Sequence, residues 1–157
     1  MVASGVFPVT IGEAAYEELE ALLALYRHLH PNEAPSTVDD NLQRLWQSML
    51  ADENIRYVVA HANGHLISTC ALTIIPNLTR GARPYGLIEN VVTRPDYRRR
   101  GIGTRVLRHA LGIAWGKNCY KVMLLTGRQQ EATLQFYERA GFVRGEKTGF
   151  VARPASP

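Results

Sequence analysis

Apolar and polar positions follow two different periods along this chain, and the changes of period mark its elements. Val6 to Ile11 is a short apolar run that predicts an opening strand. Over Glu13 to His30 the residues Leu19, Leu22, Leu23 and Tyr26 recur at helical spacing. Glu13, Glu17, Glu18 and Glu20 crowd the start of that stretch, where the helix dipole favours anions. Pro31-Asn32-Glu33-Ala34-Pro35 breaks it. Ser36 or Thr37 can cap a second helix with Leu42, Leu45, Trp46 and Met49 on one face. Arg56 to Ala62 and His65 to Ile75 read as strands joined through Asn63-Gly64, a turn whose two residues tolerate positive φ. Pro76 to Gly86 reads as a loop and Leu87 to Thr93 as a further strand. A helix is predicted from about Ile102 to Trp115, with Val106, Leu107, Ala110, Leu111 and Ala114 as its apolar stripe. Lys121 to Leu125 predicts a short strand, and Glu131 to Ala140 a helix closed by Gly141. Phe142 to Val151 predicts one or two closing strands.

A hairpin followed by a strand–helix–strand unit calls for an α/β fold with a central mixed sheet. About four helices should flank it. No linker divides the chain, so residues 1–152 are expected to form one domain, with 153–157 as a frayed tail. Hydrophobic residues at 46% and charged ones at 20% are ordinary for a globular domain of 157 residues. Eighteen basic residues against fourteen acidic ones leave a net charge of +4, which suits an anionic small molecule as well as nucleic acid and so decides nothing alone. Cys70 and Cys119 follow no metal or redox spacing and sit in apolar runs, which predicts buried free thiols and a reducing cytoplasm. No stretch approaches the ~20 apolar residues that span a bilayer, so no membrane partner is expected. Met1 to Pro8 lacks a charged start followed by a long apolar run, so no signal peptide is expected.

The most informative segment is Tyr97-Arg98-Arg99-Arg100-Gly101-Ile102-Gly103-Thr104, between a strand and an amphipathic helix. The first turn of a helix carries backbone N–H groups with no internal partner, and glycines there let an anion approach the backbone. Three cations at a helix N-terminus oppose its dipole at a cost of about 0.3–1 kcal/mol each when exposed, a penalty that a bound anion reverses. A solvated basic turn is the plainer alternative. A Walker A loop is excluded because no Gly-Lys-Ser/Thr is present. A dinucleotide fingerprint is disfavoured by Val106 where a third glycine belongs, and by Lys117 and Lys121 where an acidic residue should follow.

Arg98-Arg99-Arg100-Gly101-Ile102-Gly103 resembles the acetyl-CoA loop of the GNAT family of N-acetyltransferases, Arg/Gln-x-x-Gly-x-Gly/Ala. Arg94-Pro95-Asp96-Tyr97 is similar to the family's lead-in, and Phe136-Tyr137-Glu138-Arg139-Ala140-Gly141-Phe142 to its second signature. The resemblance is strong from Leu87 to Phe142 and weak before that. Leu87-Ile88-Glu89-Asn90-Val91-Val92 and Asn118-Cys119-Tyr120-Lys121-Val122 look most like the amino-sugar-phosphate acetyltransferases of that family. Seven residues before Tyr137, where many members carry Asn, this chain has Gln130.

The resemblance implies transfer of an acetyl group from acetyl-CoA directly to a primary amine of a small-molecule acceptor, with no acetyl-enzyme; with no His/Asp/Glu ligand set in the sequence, no metal is expected. It places the pyrophosphate on the N–H groups of about Arg99 to Thr104, with the arginine side chains, Arg98 included, within reach. The pantetheine arm would lie along Val91, Val92 and Thr93 as an added strand. Glu89 is the candidate base: a lone carboxylate in an apolar strand is costly, and burial there would raise its pKa. The competing role for Glu89 is a buried salt bridge. Tyr137 is the candidate acid for the departing thiolate, against a role in packing only. The resemblance also implies an oxyanion donor at the N–H of Asn90 or Val91.

His28-Leu29-His30 does not make a metal site, because alternate helix residues diverge by about 200°. One of the two histidines could line the acceptor pocket. Arg80 and Arg83 read as a solvated loop, with contact to an anionic acceptor as the alternative. Two other functions compete: a domain of the same fold that binds acetyl-CoA as a sensor or scaffold, and a nucleic-acid-binding module. The latter is weakened by basic residues confined to one turn with no aromatic platform, so no nucleic-acid partner is expected. A homodimer is compatible with the family resemblance.

Overall fold

A computed structural model describes residues 8–155. Five strands lie side by side in chain order: β1 (Thr10–Glu13), β2 (Ile55–Ala62), β3 (His65–Ile75), β4 (Tyr85–Thr93) and β5 (Val122–Leu124). The first four pair antiparallel and β4 pairs β5 in parallel, which is the expected mixed sheet. The helices are α1 (Leu19–Tyr26), α2 (Asp40–Ala51), α3 (Ile102–Gly116) and α4 (Glu131–Ala140). Short helical turns at Tyr16–Glu18 and Pro95–Tyr97 lead into α1 and α3, and Thr79–Ala82 forms a left-handed turn before β4.

Alternation along β2 sends successive side chains to opposite faces. Val58 and Ala60 pack under Val106, Leu107 and Ala110 of α3. Tyr57 meets Leu19, Leu22 and Trp46 of α1 and α2, and Val59 meets Leu25. The sheet is thus covered on both faces, with α3 on one side and α1 and α2 on the other. Among the described residues no helix is long and apolar enough to cross a membrane.

Several boundaries differ from the sequence reading, each for a local reason. The opening strand begins at Thr10, because Thr10–Glu13 pair with Val58–His61; Val6 and Phe7 lie outside the described residues. Glu13 is therefore still in the sheet, and α1 starts only after the Ala15 N–H donates to Glu18 Oε2 at 2.8 Å. Asp39, not Ser36 or Thr37, caps α2, accepting the Leu42 N–H at 2.8 Å. A carboxylate makes a charge-assisted cap. Leu45, expected on the buried face of α2, is 54% exposed. β4 begins at Tyr85, because Gly86 is already paired with both Ile74 and Val122. The closing strands are absent among the described residues: Phe142 to Ala155 has no regular structure, and no neighbouring strand supplies it with a ladder.

Candidate active site

Two irregularities in β4 create the site. The first is a bulge. Ala71 pairs with Glu89 and Thr69 with Val92, so Asn90 and Val91 together oppose the single residue Cys70. Asn90 takes φ 54°, the left-handed region that asparagine tolerates better than most residues. The second is a divergence. The β4–β5 ladder ends at Ile88 with Leu124, while β4 runs on to Thr93. The strands part beyond that point and leave a cleft of about 930 Å³.

Its floor is Glu89 to Thr93, and one wall is Arg98, Arg99 and Gly101 to Thr104. The other wall is Leu124 to Arg128 with Phe136 and Tyr137, and His28 to His30 stand at the mouth. The sheet thus brings together every expected site residue except Arg100, whose guanidinium turns away to stack on the Tyr97 ring at 5.6 Å. Arg94, paired with Asp96 at 2.9 Å, also faces the Tyr97 ring. Arg98 Nε donates to the Thr93 carbonyl at 2.9 Å and fixes the entrance of the loop.

The loop is shaped for its backbone to be approached. Arg99 (φ 59°) and Gly101 (φ 74°) are both left-handed. The first bond into α3 runs from Arg105 N–H to the Gly101 carbonyl, so the amides of Ile102, Gly103 and Thr104 precede the helical ladder, and all three residues line the cleft. Gly103 is needed for space. A Cβ there would stand 3.0 Å from the Phe136 ring and 3.2 Å from Thr93 Oγ1. Thr93 Oγ1 is itself held by Ser68 Oγ at 2.7 Å. A glycine-lined cradle of unpaired amides fits a diphosphate, and the β4 edge beyond Ile88 fits an extended arm.

Glu89 is exposed on the cleft floor, which corrects the expectation of a carboxylate sealed among apolar side chains. Past Ile88 there is no β5 to cover it. Among the described residues no ion pair within 4.0 Å involves Glu89, so the buried salt bridge is not formed. Tyr137 is half-buried, and its ring packs on Phe136 at 4.9 Å and on Phe142 at 6.4 Å. Burial pushes its hydroxyl above the ordinary tyrosine range; Arg128 opposes that shift, and Glu89 and Cys70 reinforce it. The phenol is therefore held protonated and is within electrostatic reach of Glu89. Gln130 ends up as the N-cap of α4, outside the cleft lining and with no side-chain cap bond.

Sequence reasoning missed a buried group beside the bulge. The Tyr26 hydroxyl, at the end of α1, is buried with no hydrogen-bond partner among the described residues. Burial pushes it well above the usual tyrosine range, Tyr57 and Cys70 add to the shift, and the Asn90 side chain opposes it. The available signal was Asn90 itself, a strand-averse residue inside an apolar strand. Of the other histidines, His61 bonds Glu18 and His109 is exposed. Arg83 donates to the carbonyls of Asn118 and Cys119, both at 3.2 Å, and so ties the loop before β4 to the end of α3.

Comparison with known proteins agrees with this geometry. Residues 19–142 match the Acetyltransferase (GNAT) family. A glucosamine 6-phosphate N-acetyltransferase from Trypanosoma brucei brucei is 34% identical over 131 residues, covering 83% of this chain and 86% of that protein. A putative acetyltransferase from Agrobacterium tumefaciens superposes with TM-score 0.86 at 46% identity, over 92% of this chain and 99% of that one. A predicted acetyltransferase with acetyl-CoA from Clostridium acetobutylicum shares the fold, with TM-score 0.72 at 22% identity over 92% and 96% of the two chains. A split sheet with a glycine cradle at the end of its bulged strand, matched over most of the chain, makes this protein a member of the GNAT family and an N-acetyltransferase.

Proposed function

We propose that the chain acetylates the primary amine of a small anionic acceptor, with an amino-sugar phosphate such as glucosamine 6-phosphate as the first candidate. The observation that carries this reading is the cleft that opens beyond Ile88 and Leu124 and ends on the unpaired amides of α3. The T. brucei relative supports the choice of acceptor. So does the cationic lining, in which Arg128 and Arg139 stand apart from the arginines beside the start of α3.

Acetyl-CoA supplies an activated thioester. The amides of Ile102 to Thr104, with Arg98 and Arg99 beside them, hold the diphosphate, and Val91 to Thr93 hold the pantetheine arm. A backbone N–H at the Asn90–Val91 bulge stabilises the developing oxyanion. Glu89 takes a proton from the attacking amine, directly or through a water, which its exposure permits. Tyr137, kept protonated by burial, gives its proton to the sulfur as the carbon–sulfur bond breaks. The basic run is poorly disposed for nucleic acid, since Arg94 is paired with Asp96, Arg100 stacks on Tyr97, and Arg98 and Arg99 line the cleft. Two buried free thiols fit a reducing cytoplasm, and residues 1–152 act as one catalytic domain.

The test is thiol release from acetyl-CoA across a panel of amines, with products identified by mass. Turnover should be highest with amino-sugar phosphates. CoA binding without turnover on any amine would favour a sensor, and failure to bind CoA would overturn the reading altogether.

A further inference from the structure

The bulge in β4 is held firmly at its two ends and loosely in between. Before it, Ala71 pairs with Glu89. After it, the Ser68 hydroxyl donates to the Val92 carbonyl at 3.1 Å and meets Thr93 Oγ1 at 2.7 Å. Between these ties Asn90 and Val91 oppose Cys70 alone. Asn90 keeps φ 54° there with its side chain exposed to the cleft. A left-handed residue other than glycine is strained, and it persists only where its surroundings hold it.

Tyr26 stands beside this loose point and is itself rigid. Its ring packs on two apolar clusters, one with Leu22, Trp46 and Tyr57 and the other with Leu25, Val59 and Val92. Its carbonyl accepts the N–H groups of Leu29 at 2.9 Å and His30 at 3.0 Å. Its hydroxyl is the one buried side-chain polar atom without a partner among the described residues. Other buried hydroxyls of this sheet are satisfied: Thr69 Oγ1 donates to the Val58 carbonyl at 2.9 Å, and Ser68 is bonded as above. A buried hydroxyl left unpaired is costly. The Asn90 side chain faces it without completing a bond. In the open cleft, water competes for the Asn90 amide.

We propose that Tyr26 is a positioning residue for acetyl transfer: once donor binding excludes water from the β4 edge, the Tyr26 hydroxyl donates to Asn90 Oδ1 and locks the left-handed bulge that carries the oxyanion donor. One bond then satisfies both the orphaned phenol and the desolvated amide. A preorganised donor is worth most when it does not move as charge develops. The inference rests on the reading of the bulge N–H as that donor. It does not depend on the identity of the acceptor or on Glu89.

Acetyl-CoA carrying ¹³C at its acetyl carbonyl is the probe. On the wild-type protein the bound carbonyl resonance should move downfield of its free position. Tyr26→Phe should return it toward that position and lower kcat by about tenfold or more, with the calorimetric Kd for CoA unchanged. Asn90→Gly keeps the left-handed conformation available, removes the amide and should do the same. The double variant should be no worse than either single one. Losses that multiply in the double variant overturn the proposal, as does Tyr26→Phe with wild-type resonance and turnover. A CoA affinity that falls with kcat makes Tyr26 a packing residue only and overturns it too. A bound carbonyl that stays unshifted in the wild type sinks the oxyanion reading first and this inference with it. Should Tyr26→Phe fail to fold, the wild type decides: its Tyr26 hydroxyl proton should exchange about tenfold more slowly with CoA bound, and unchanged exchange overturns the proposal.

Discussion

The two sides of the cleft are built from different materials. The side proposed to hold the donor is main chain: amides at the start of α3, a strand edge and glycines that clear the way to them. The side proposed for the acceptor is side chain: His28, His30 and Arg128 line it. A backbone cradle depends on a few local conformations, so it reads as a short motif and serves any acceptor. A side-chain pocket depends on which distant residues meet, so it can change without disturbing the cradle. Donor binding and acceptor choice should therefore be separable by mutation.

The hardest test of that separation is Glu89→Gln. Turnover should fall by about 10²- to 10⁴-fold, the range of a lost general base, while CoA affinity measured by calorimetry barely changes. If both fall together, Glu89 belongs to the scaffold. Tyr137→Phe comes next, with a loss of turnover of about 10²-fold and unchanged CoA affinity. Its hydroxyl titrates above the ordinary value of 10, so the neutral acid is present at lower pH and is lost only as pH rises through that raised value. The acid limb of the pH–rate profile should accordingly be the same in wild type and Tyr137→Phe. A limb that moves would reassign the proton donor.

Gly103→Ala acts on the donor side. Crowding against Phe136 and Thr93 costs about 1–3 kcal/mol, so CoA binding should weaken by about tenfold or more. The acceptor KM should hold. Tyr26→Phe tests the packing beside the Asn90 bulge. Removing a buried hydroxyl with no partner should leave stability unchanged or raise it by about 1 kcal/mol in denaturant unfolding. A clear loss of stability would mean that the hydroxyl is bonded, with Asn90 as the group facing it. The smallest effect is chemical. Burial pushes the Cys70 thiol up to about 12, and Cys119 is raised as well, so both should resist alkylation at pH 8 in the folded protein and react once it unfolds.

The same contrast explains what the sequence made legible. Asn63-Gly64, Gly141 and the glycines of the α3 loop announce themselves because each meets a conformational demand within a few residues. The α3 stripe is visible because its period is local. The start of α1 was hidden because Glu13 is claimed by Val58 across the sheet, a partner that no helical period reveals. The burial of Glu89 was overestimated because apolar neighbours in sequence do not show that β5 stops at Leu124. Phe142 to Val151 has the pattern of a strand, but a pattern states what a segment suits and not whether an edge is there to receive it.

Phe136 and Tyr137 are adjacent in α4, and this adjacency couples two parts of the proposed site. The Phe136 ring fills the space that a side chain on Gly103 would need, and the Tyr137 phenol feels the charge of Glu89. On the proposed mechanism, a change that displaces the Phe136 ring would tilt the neighbouring phenol as well, so that grip on the donor and release of its thiol would be disturbed in one stroke.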